Sequence, residues 1–179
     1  MTAIAAFVVA AALLGIERIC YVWVWHRPEA FRALCRSSPL ARCGDPVDAL
    51  RVLFYGFKTL QAAVFVGWWT YFAGGVPLPP PAPLPVLALG GSLILTGQLL
   101  SAAVFRKLGN AGVFYGNRLG HELPWVTGFP FNVVRHPQYV GTVLSIWGLF
   151  LIMRFPHTDW CWLPLLETIY YGLGARYEQ

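Results

Sequence analysis

Apolar residues gather along the chain into five stretches, separated by polar or proline-broken segments. They run over residues 3–25, 48–73, 84–105, 138–153 and 160–175. The first three are long enough to cross a hydrocarbon core of about 30 Å, which takes about 20 helical residues. The last two are shorter. With the polar turn 154–159 between them they predict a helical hairpin whose arms reach across with the help of interfacial aromatics. Helices are the default inside lipid, because an open sheet edge leaves backbone groups unsatisfied there. The expected fold is an all-α integral membrane protein, a multi-pass bundle of about five apolar segments. It forms one membrane domain over 1–179, with N-terminal helices and a basic loop in 1–83 and a second, C-terminal part in 84–179.

Composition agrees with this pattern. Hydrophobic residues make up 57% of the chain and charged residues only 12%, against about 25% charged in a soluble domain. Sixteen percent aromatics, with eight Trp, suit a bundle with interfacial belts. A net charge of +5 is too small and too scattered to point to nucleic acid. Cys20, Cys35, Cys43 and Cys161 show no metal-ligand spacing, so no metal is expected. Residues 2–16 lack a basic leader and a small-residue cleavage site, and read as a retained membrane segment.

Loop charge orients the bundle. Loop 26–47 carries Arg27, Arg32, Arg36 and Arg42, and loop 106–137 carries Arg106, Lys107, Arg118 and Arg135. Loop 74–83 carries no charge, and turn 154–159 carries one Arg and one Asp. Both basic loops and the C-terminus are therefore expected in the cytosol, with a chemical site between the loops.

Several charges fall inside the apolar stretches. Arg51 and Lys58 are seven residues apart, on one helical face. They read either as a basic stripe for a phosphate or as side chains snorkelling to the interface. Lys58 is the deeper of the two and is kept as a substrate-binding candidate. Glu17 and Arg18 can neutralise each other, and Asp48 can pair with Arg51. Glu167 reads equally as a partner for a base or as a site group.

Gly112, Gly116 and Gly120 recur every four residues. On a helix they would form a bare ridge, for close helix packing or for close approach of a ligand. Polar neighbours Asn110, Asn117, Arg118, His121 and Glu122 lie at the basic end. The stretch FPFNVVRHPQYVGTVLSIWGLFLI, residues 129–152, then passes from a polar loop into an apolar helix. Asn132, Arg135 and His136 precede Pro137, a favoured first helical residue, and Gln138, Tyr139 and Gly141 fill the first turns. A helix N-terminus beside an Arg suits an anion such as a carboxylate.

At these residues the chain resembles a known family. VTGFPFNVVRHPQYVGTVLS is similar to the signature of phospholipid N-methyltransferases, and AGVFYGNRLG is similar to their Gly-rich segment. The resemblance covers roughly residues 90–179. It implies a membrane enzyme that moves methyl groups from S-adenosylmethionine to the amino headgroup of phosphatidylethanolamine or its mono- and dimethyl forms, towards phosphatidylcholine. S-adenosylhomocysteine would be the product. Residues 84–179 would be the methyltransferase core and would build a cytosolic-side cofactor pocket. The membrane would be the endoplasmic reticulum in a eukaryote or the inner membrane in a bacterium.

The resemblance also implies roles. The family's Gly-x-Gly falls on Leu95-Thr96-Gly97 and its Glu-Glu pair on Glu178-Gln179, so Gly97 and Glu178 alone are kept. Gly97, Gly112, Gly116, Arg135, His136, Tyr139, Gly141 and Glu178 are the expected cofactor contacts. Lys58 and Asn132 are the expected lipid contacts, and His121, Glu122 and His136 the candidates for taking the proton of the amine. The triplet Arg135-His136-Pro137 departs from the Asp-Asn-Pro of many phospholipid enzymes and looks more like the isoprenylcysteine carboxyl methyltransferases, the alternative enzyme reading. A non-enzymatic membrane packing protein is the third.

Overall fold

The computed structural model describes residues 2–76 and 78–178, and among them the regular structure is all helix, with no strand. Seven α-helices follow in order: α1 (Ala3–His26), α2 (Pro28–Ser37), α3 (Pro46–Ala73), α4 (Leu84–Val113), α5 (Gly116–Leu119), α6 (Pro137–Arg154) and α7 (Trp162–Tyr177). A short 3-10 turn, Pro39–Cys43, joins α2 to α3. Helices α1, α3 and α4 are long and apolar enough to cross a membrane. Each apolar stretch of the sequence is a helix, and α6 and α7 form the expected hairpin.

Local chemistry sets the ends. Asp45 caps α3, its carboxylate accepting from the Val47 N–H at 2.7 Å, and Pro46 opens the helix. Gly74, in the left-handed conformation, closes it. Loop 26–47 holds more structure than its charge suggested. Helix α2 buries Phe31 and Cys35 on one face and leaves Arg36 outside. Burial, then Cys43 and Asp45, push the Cys35 thiol above its ordinary range.

The glycine ridge expected at Gly112, Gly116 and Gly120 does not form. Gly109 (φ 62°) interrupts the helical path, Tyr115 (φ 56°) takes the left-handed conformation after α4, and Gly120 (φ 103°) ends α5. Gly112 lies at the end of α4, whereas Gly116 and Gly120 bound the single turn of α5. Another set packs instead. Gly90 and Gly97 of α4 meet Gly148 and Gly141 of α6, so the two helices run antiparallel with glycines seven residues apart on each. A Cβ on Gly141 would stand 2.6 Å from the Gly97 carbonyl oxygen, and one on Gly90 would stand 2.9 Å from that of Gly148. Backbone touches backbone here, which small residues alone permit.

Two apolar cores stack along the bundle. One gathers Tyr21, Val24, Phe31, Leu50, Val104 and Phe114; the other gathers Ala10, Leu14, Phe65, Trp68, Ile146, Phe150 and Leu163. Between them lies a polar layer. Glu17 pairs with Arg18 and with Lys58 (3.0 Å), Lys58 donates to Gln61 (3.2 Å) and Tyr171 (2.8 Å), and Gln61 donates to Glu167. The Glu17–Arg18 pairing expected from sequence is present, with Lys58 as a third member. Asp48 and Arg51 also pair, at 3.0 Å. At the hairpin turn Arg154 forks onto Asp159 (2.8 and 2.7 Å), and Trp68 Nε1 donates to the same carboxylate at 3.0 Å. The two charges of turn 154–159 thus cancel inside the fold.

Candidate active site

The start of α6 is where the polar residues of the C-terminal half converge. Pro137 fixes the first turn, which brings Tyr139 beneath His136, their rings near-parallel with centroids 6.0 Å apart. The Tyr139 hydroxyl donates to one oxygen of Glu178, the residue after α7. The Tyr115 hydroxyl donates to the other at 2.7 Å. Positive φ at Tyr115 turns the chain between α4 and α5 where its ring makes this contact. One carboxylate therefore joins the α4–α5 junction, α6 and α7.

These side chains line a cavity of about 250 Å³ together with Arg135, Trp25, Gly112, Asn117 and Phe131. It carries a guanidinium and a carboxylate between aromatic walls. Arg118 stacks beside it on Trp25, 4.2 Å from the ring centre. His136 Nε2 is buried without a hydrogen-bond partner. Such an atom costs about 1–3 kcal/mol unless a ligand or water satisfies it.

Two further cavities adjoin the first. One of about 60 Å³ lies in the polar layer, lined by Glu17, Arg18, Tyr21, Lys58, Tyr139 and Tyr171. Another of about 380 Å³, between α3, α4 and α6, is walled by Phe54, Phe65, Phe105, Ile146 and Leu149, with Lys58 and Gln61 on α3, Gln98 and Ser101 on α4, and Gln138, Thr142 and Ser145 on α6 as its polar points. Gln138 lines all three.

The structure brings together Arg135, His136, Tyr139, Gly112 and Glu178 at the first cavity, and sets Lys58 at the other two. His121 stands elsewhere, its Nε2 3.0 Å from Asp45, the cap of α3. Glu122 and Asn132 are exposed in the loop and line none of the three cavities. Gly97 and Gly141 face each other in the α4–α6 seam, and Gly116 packs on the carbonyl of Ala111. Tyr115, Trp25, Gln138 and Tyr171 join these cavities without having been expected as contacts. Gln138 and Tyr115 stand next to residues that were expected, whereas Trp25 and Tyr171 look like ordinary belt aromatics. Among the described residues no group of three or more His, Cys, Asp or Glu is placed to hold a metal.

Comparison with known proteins gives the family. A profile of the phospholipid methyltransferase family matches residues 85–179, the part that builds most of the first cavity. The phosphatidyl-N-methylethanolamine N-methyltransferase of Arabidopsis thaliana is 30% identical over 160 residues, covering 86% of this chain and 78% of that protein. The Saccharomyces cerevisiae protein of the same name is 42% identical over 94 residues, 51% of this chain and 44% of its own length. Human phosphatidylethanolamine N-methyltransferase is 33% identical over 93 residues, 51% of this chain and 46% of that protein. The match thus spans less than half the length of the yeast and human relatives. No solved structure matches the chain. With three helices fit to cross a bilayer and a family profile over its C-terminal half, this integral membrane protein belongs to the phospholipid methyltransferase family.

Proposed function

We propose that the protein transfers methyl groups from S-adenosylmethionine to the amino headgroup of phosphatidylethanolamine or its mono- and dimethyl forms, towards phosphatidylcholine. One observation carries the reading. The cavity that holds Arg135, His136 and Glu178 shares Gln138 with the cavity between α3, α4 and α6, where Phe54, Phe65, Phe105, Ile146 and Leu149 make an apolar wall. A charged ligand and a lipid chain would each find their own kind of wall on either side of one residue. The names of the Arabidopsis and yeast relatives make phosphatidyl-N-methylethanolamine the first acceptor to try.

S-adenosylmethionine supplies, when bound, a methyl group on a positively charged sulfur, and brings its own carboxylate and ammonium. The residues present fit it. Arg135 at the N-terminal end of α6 suits the carboxylate. Glu178, oriented by the Tyr115 and Tyr139 hydroxyls, suits the ammonium or a ribose hydroxyl. The unpartnered His136 Nε2 offers one more hydrogen bond. S-adenosylhomocysteine, the product, would keep these contacts.

The chemistry demands alignment of amine, methyl carbon and sulfur. The chain's contribution is rigidity: the glycine seam presses α6 on α4, which fixes Gln138 and Tyr139 at the junction of the cavities. The amine must be neutral to attack, so a base or water path is needed. Of the three expected bases, His136 lines the cavity; His121 and Glu122 would act only through water or loop movement. Lys58 and Asn132 remain the proposed lipid contacts, Lys58 from within the polar layer. In this reading all five long helices span the bilayer and the mouth of α6 faces the cytosol, at the endoplasmic reticulum or bacterial inner membrane. No metal takes part.

The experiment is methylation in lipid nanodiscs with labelled S-adenosylmethionine. Label in dimethyl-phosphatidylethanolamine or phosphatidylcholine is the expected result. Label confined to a prenylated cysteine peptide would move the assignment to the carboxyl methyltransferases, which the Arg135-His136-Pro137 triplet favours. No label and no thermal stabilisation by S-adenosylhomocysteine would leave a packing protein.

A further inference from the structure

The polar layer holds a cation with open hydrogen-bond donors. Arg18 is only 8% exposed, deep in α1. Its Nη2 donates to Glu17, whereas Nε and Nη1 are buried without an acceptor. Its guanidinium lies 4.1 Å from the Tyr171 ring centre, with the Tyr21 and Tyr139 rings at 5.2 and 5.7 Å. Lys58 stands beside it on the same carboxylate, and both cations line the small middle cavity. The anions facing them are Glu17 and, one hydrogen bond farther through Gln61, Glu167. The aromatic rings satisfy the guanidinium face but not its edge, and that edge matches paired oxygens of a phosphate.

The three cavities are ordered along α6. Residues 135–139 line the first, Gln138, Tyr139 and Thr142 the second, and residues from Gln138 to Leu149 the third. A glycerophospholipid carries its groups in the same order: amine, phosphodiester, acyl chain. We infer that Arg18, with Lys58 beside it, binds the phosphodiester of the acceptor lipid in the middle cavity. This sets the amine towards His136 and Glu178 and an acyl chain among Phe54, Phe65 and Ile146. The inference rests on the phospholipid reading above and makes Arg18 the residue that selects a phospholipid amine over a free amine.

The test compares dihexanoyl-phosphatidyl-N-methylethanolamine with its uncharged phosphate O-methyl triester, by thermal shift in detergent with S-adenosylhomocysteine present. The diester should bind wild-type protein well and the triester poorly. Arg18→Gln should raise the diester dissociation constant about tenfold to a hundredfold, the loss of a charge-assisted contact. It should also narrow the preference for diester, Lys58 remaining beside the site, and leave S-adenosylhomocysteine affinity unchanged. Equal diester binding by variant and parent overturns the inference. A matching loss of S-adenosylhomocysteine affinity also overturns it, by placing Arg18 at the cofactor carboxylate. Should Arg18→Gln fail to fold, Arg18→Lys keeps the charge beside Glu17, and equal binding of diester and triester by wild-type protein is sufficient to reject the site. The two readings separate cleanly. Diester bound through Arg18 but never methylated sinks the reaction and spares the site; methylation without dependence on Arg18 does the reverse.

Discussion

Tyr139 donates its hydroxyl hydrogen to Glu178, so the first turn of α6 is tied to the residue that follows α7. Tyr115 holds the other oxygen of that carboxylate. The carboxylate that the family resemblance assigns to the cofactor is a member of the cavity wall. Glu178→Gln keeps an acceptor for one hydroxyl, turns an amide N–H donor to the other, and removes the charge. The apo protein should lose no more than one ordinary hydrogen bond, about 1 kcal/mol. Affinity for S-adenosylhomocysteine should fall about tenfold, measured by calorimetry. Unchanged affinity would return Glu178 to a purely structural tie.

Arg135 is exposed at the mouth of α6. Arg135→Ala should weaken S-adenosylhomocysteine binding by about 1.5–3 kcal/mol, the range for a hydrogen bond to a charged group. Its thermal midpoint without ligand should move little by comparison. A fall in stability or yield with intact binding would make Arg135 a topology anchor.

His136 and His121 differ in surroundings, and the difference is measurable. His136 lines the cavity with a buried, unpartnered Nε2, and His121 pairs with Asp45 at the start of α3. His136→Gln should lower kcat by the larger factor, of order 10²-fold for a lost general base. His121→Gln should chiefly lower thermal stability, by up to about 1 kcal/mol for a half-exposed pair. The reverse ranking of kcat would give the proton to His121.

The α4–α6 seam predicts a sharp contrast between glycines. Gly141→Ala puts a methyl 2.6 Å from the Gly97 carbonyl oxygen and 2.9 Å from Ser101 Oγ. Neither helix backbone can yield cheaply, so a loss of about 1–3 kcal/mol is expected. Gly67→Ala, on α3 with nothing within 4 Å of its Cβ, should gain about 0.5–1 kcal/mol from helix propensity. Thermal unfolding in detergent reads both. Equal midpoints would mean that the seam opens without cost.

Much of this architecture is legible in one dimension. Apolar runs 48–73 and 138–153 correspond to α3 and α6 within two residues at each end, because hydropathy is a property of the run itself. Helix α2 was hidden by its arginines, although Pro28 and the spacing of Phe31 and Cys35 mark a short amphipathic helix. The four-residue repeat of Gly112, Gly116 and Gly120 is not the packing set. The operative spacing is seven, shared between Gly90 and Gly97 on one helix and Gly141 and Gly148 on another. Arg135, His136 and Tyr139 could be chosen by type and position, and Glu178 through the family resemblance. Their connection through Tyr115 could not, nor could the Glu17–Lys58 and Gln61–Glu167 contacts, because they join residues far apart in the chain.

Arg154 and Asp159 are both buried and paired through two hydrogen bonds, and Trp68 donates to the same carboxylate. Asp159→Ala leaves a buried guanidinium and an indole N–H without an acceptor, and removing one partner of such a pair costs about 3–5 kcal/mol. The turn then has no internal counter-charge for Arg154, which must reach for solvent and pull α6 and α7 apart. The double variant Arg154→Met, Asp159→Ala removes both charges together and should regain much of the loss, because an apolar replacement of a buried pair is often close to neutral. Unfolding midpoints of wild type, Asp159→Ala and the double variant form the test. Failure of the double variant to recover would show that the hairpin depends on the Trp68–Asp159 hydrogen bond rather than on charge balance.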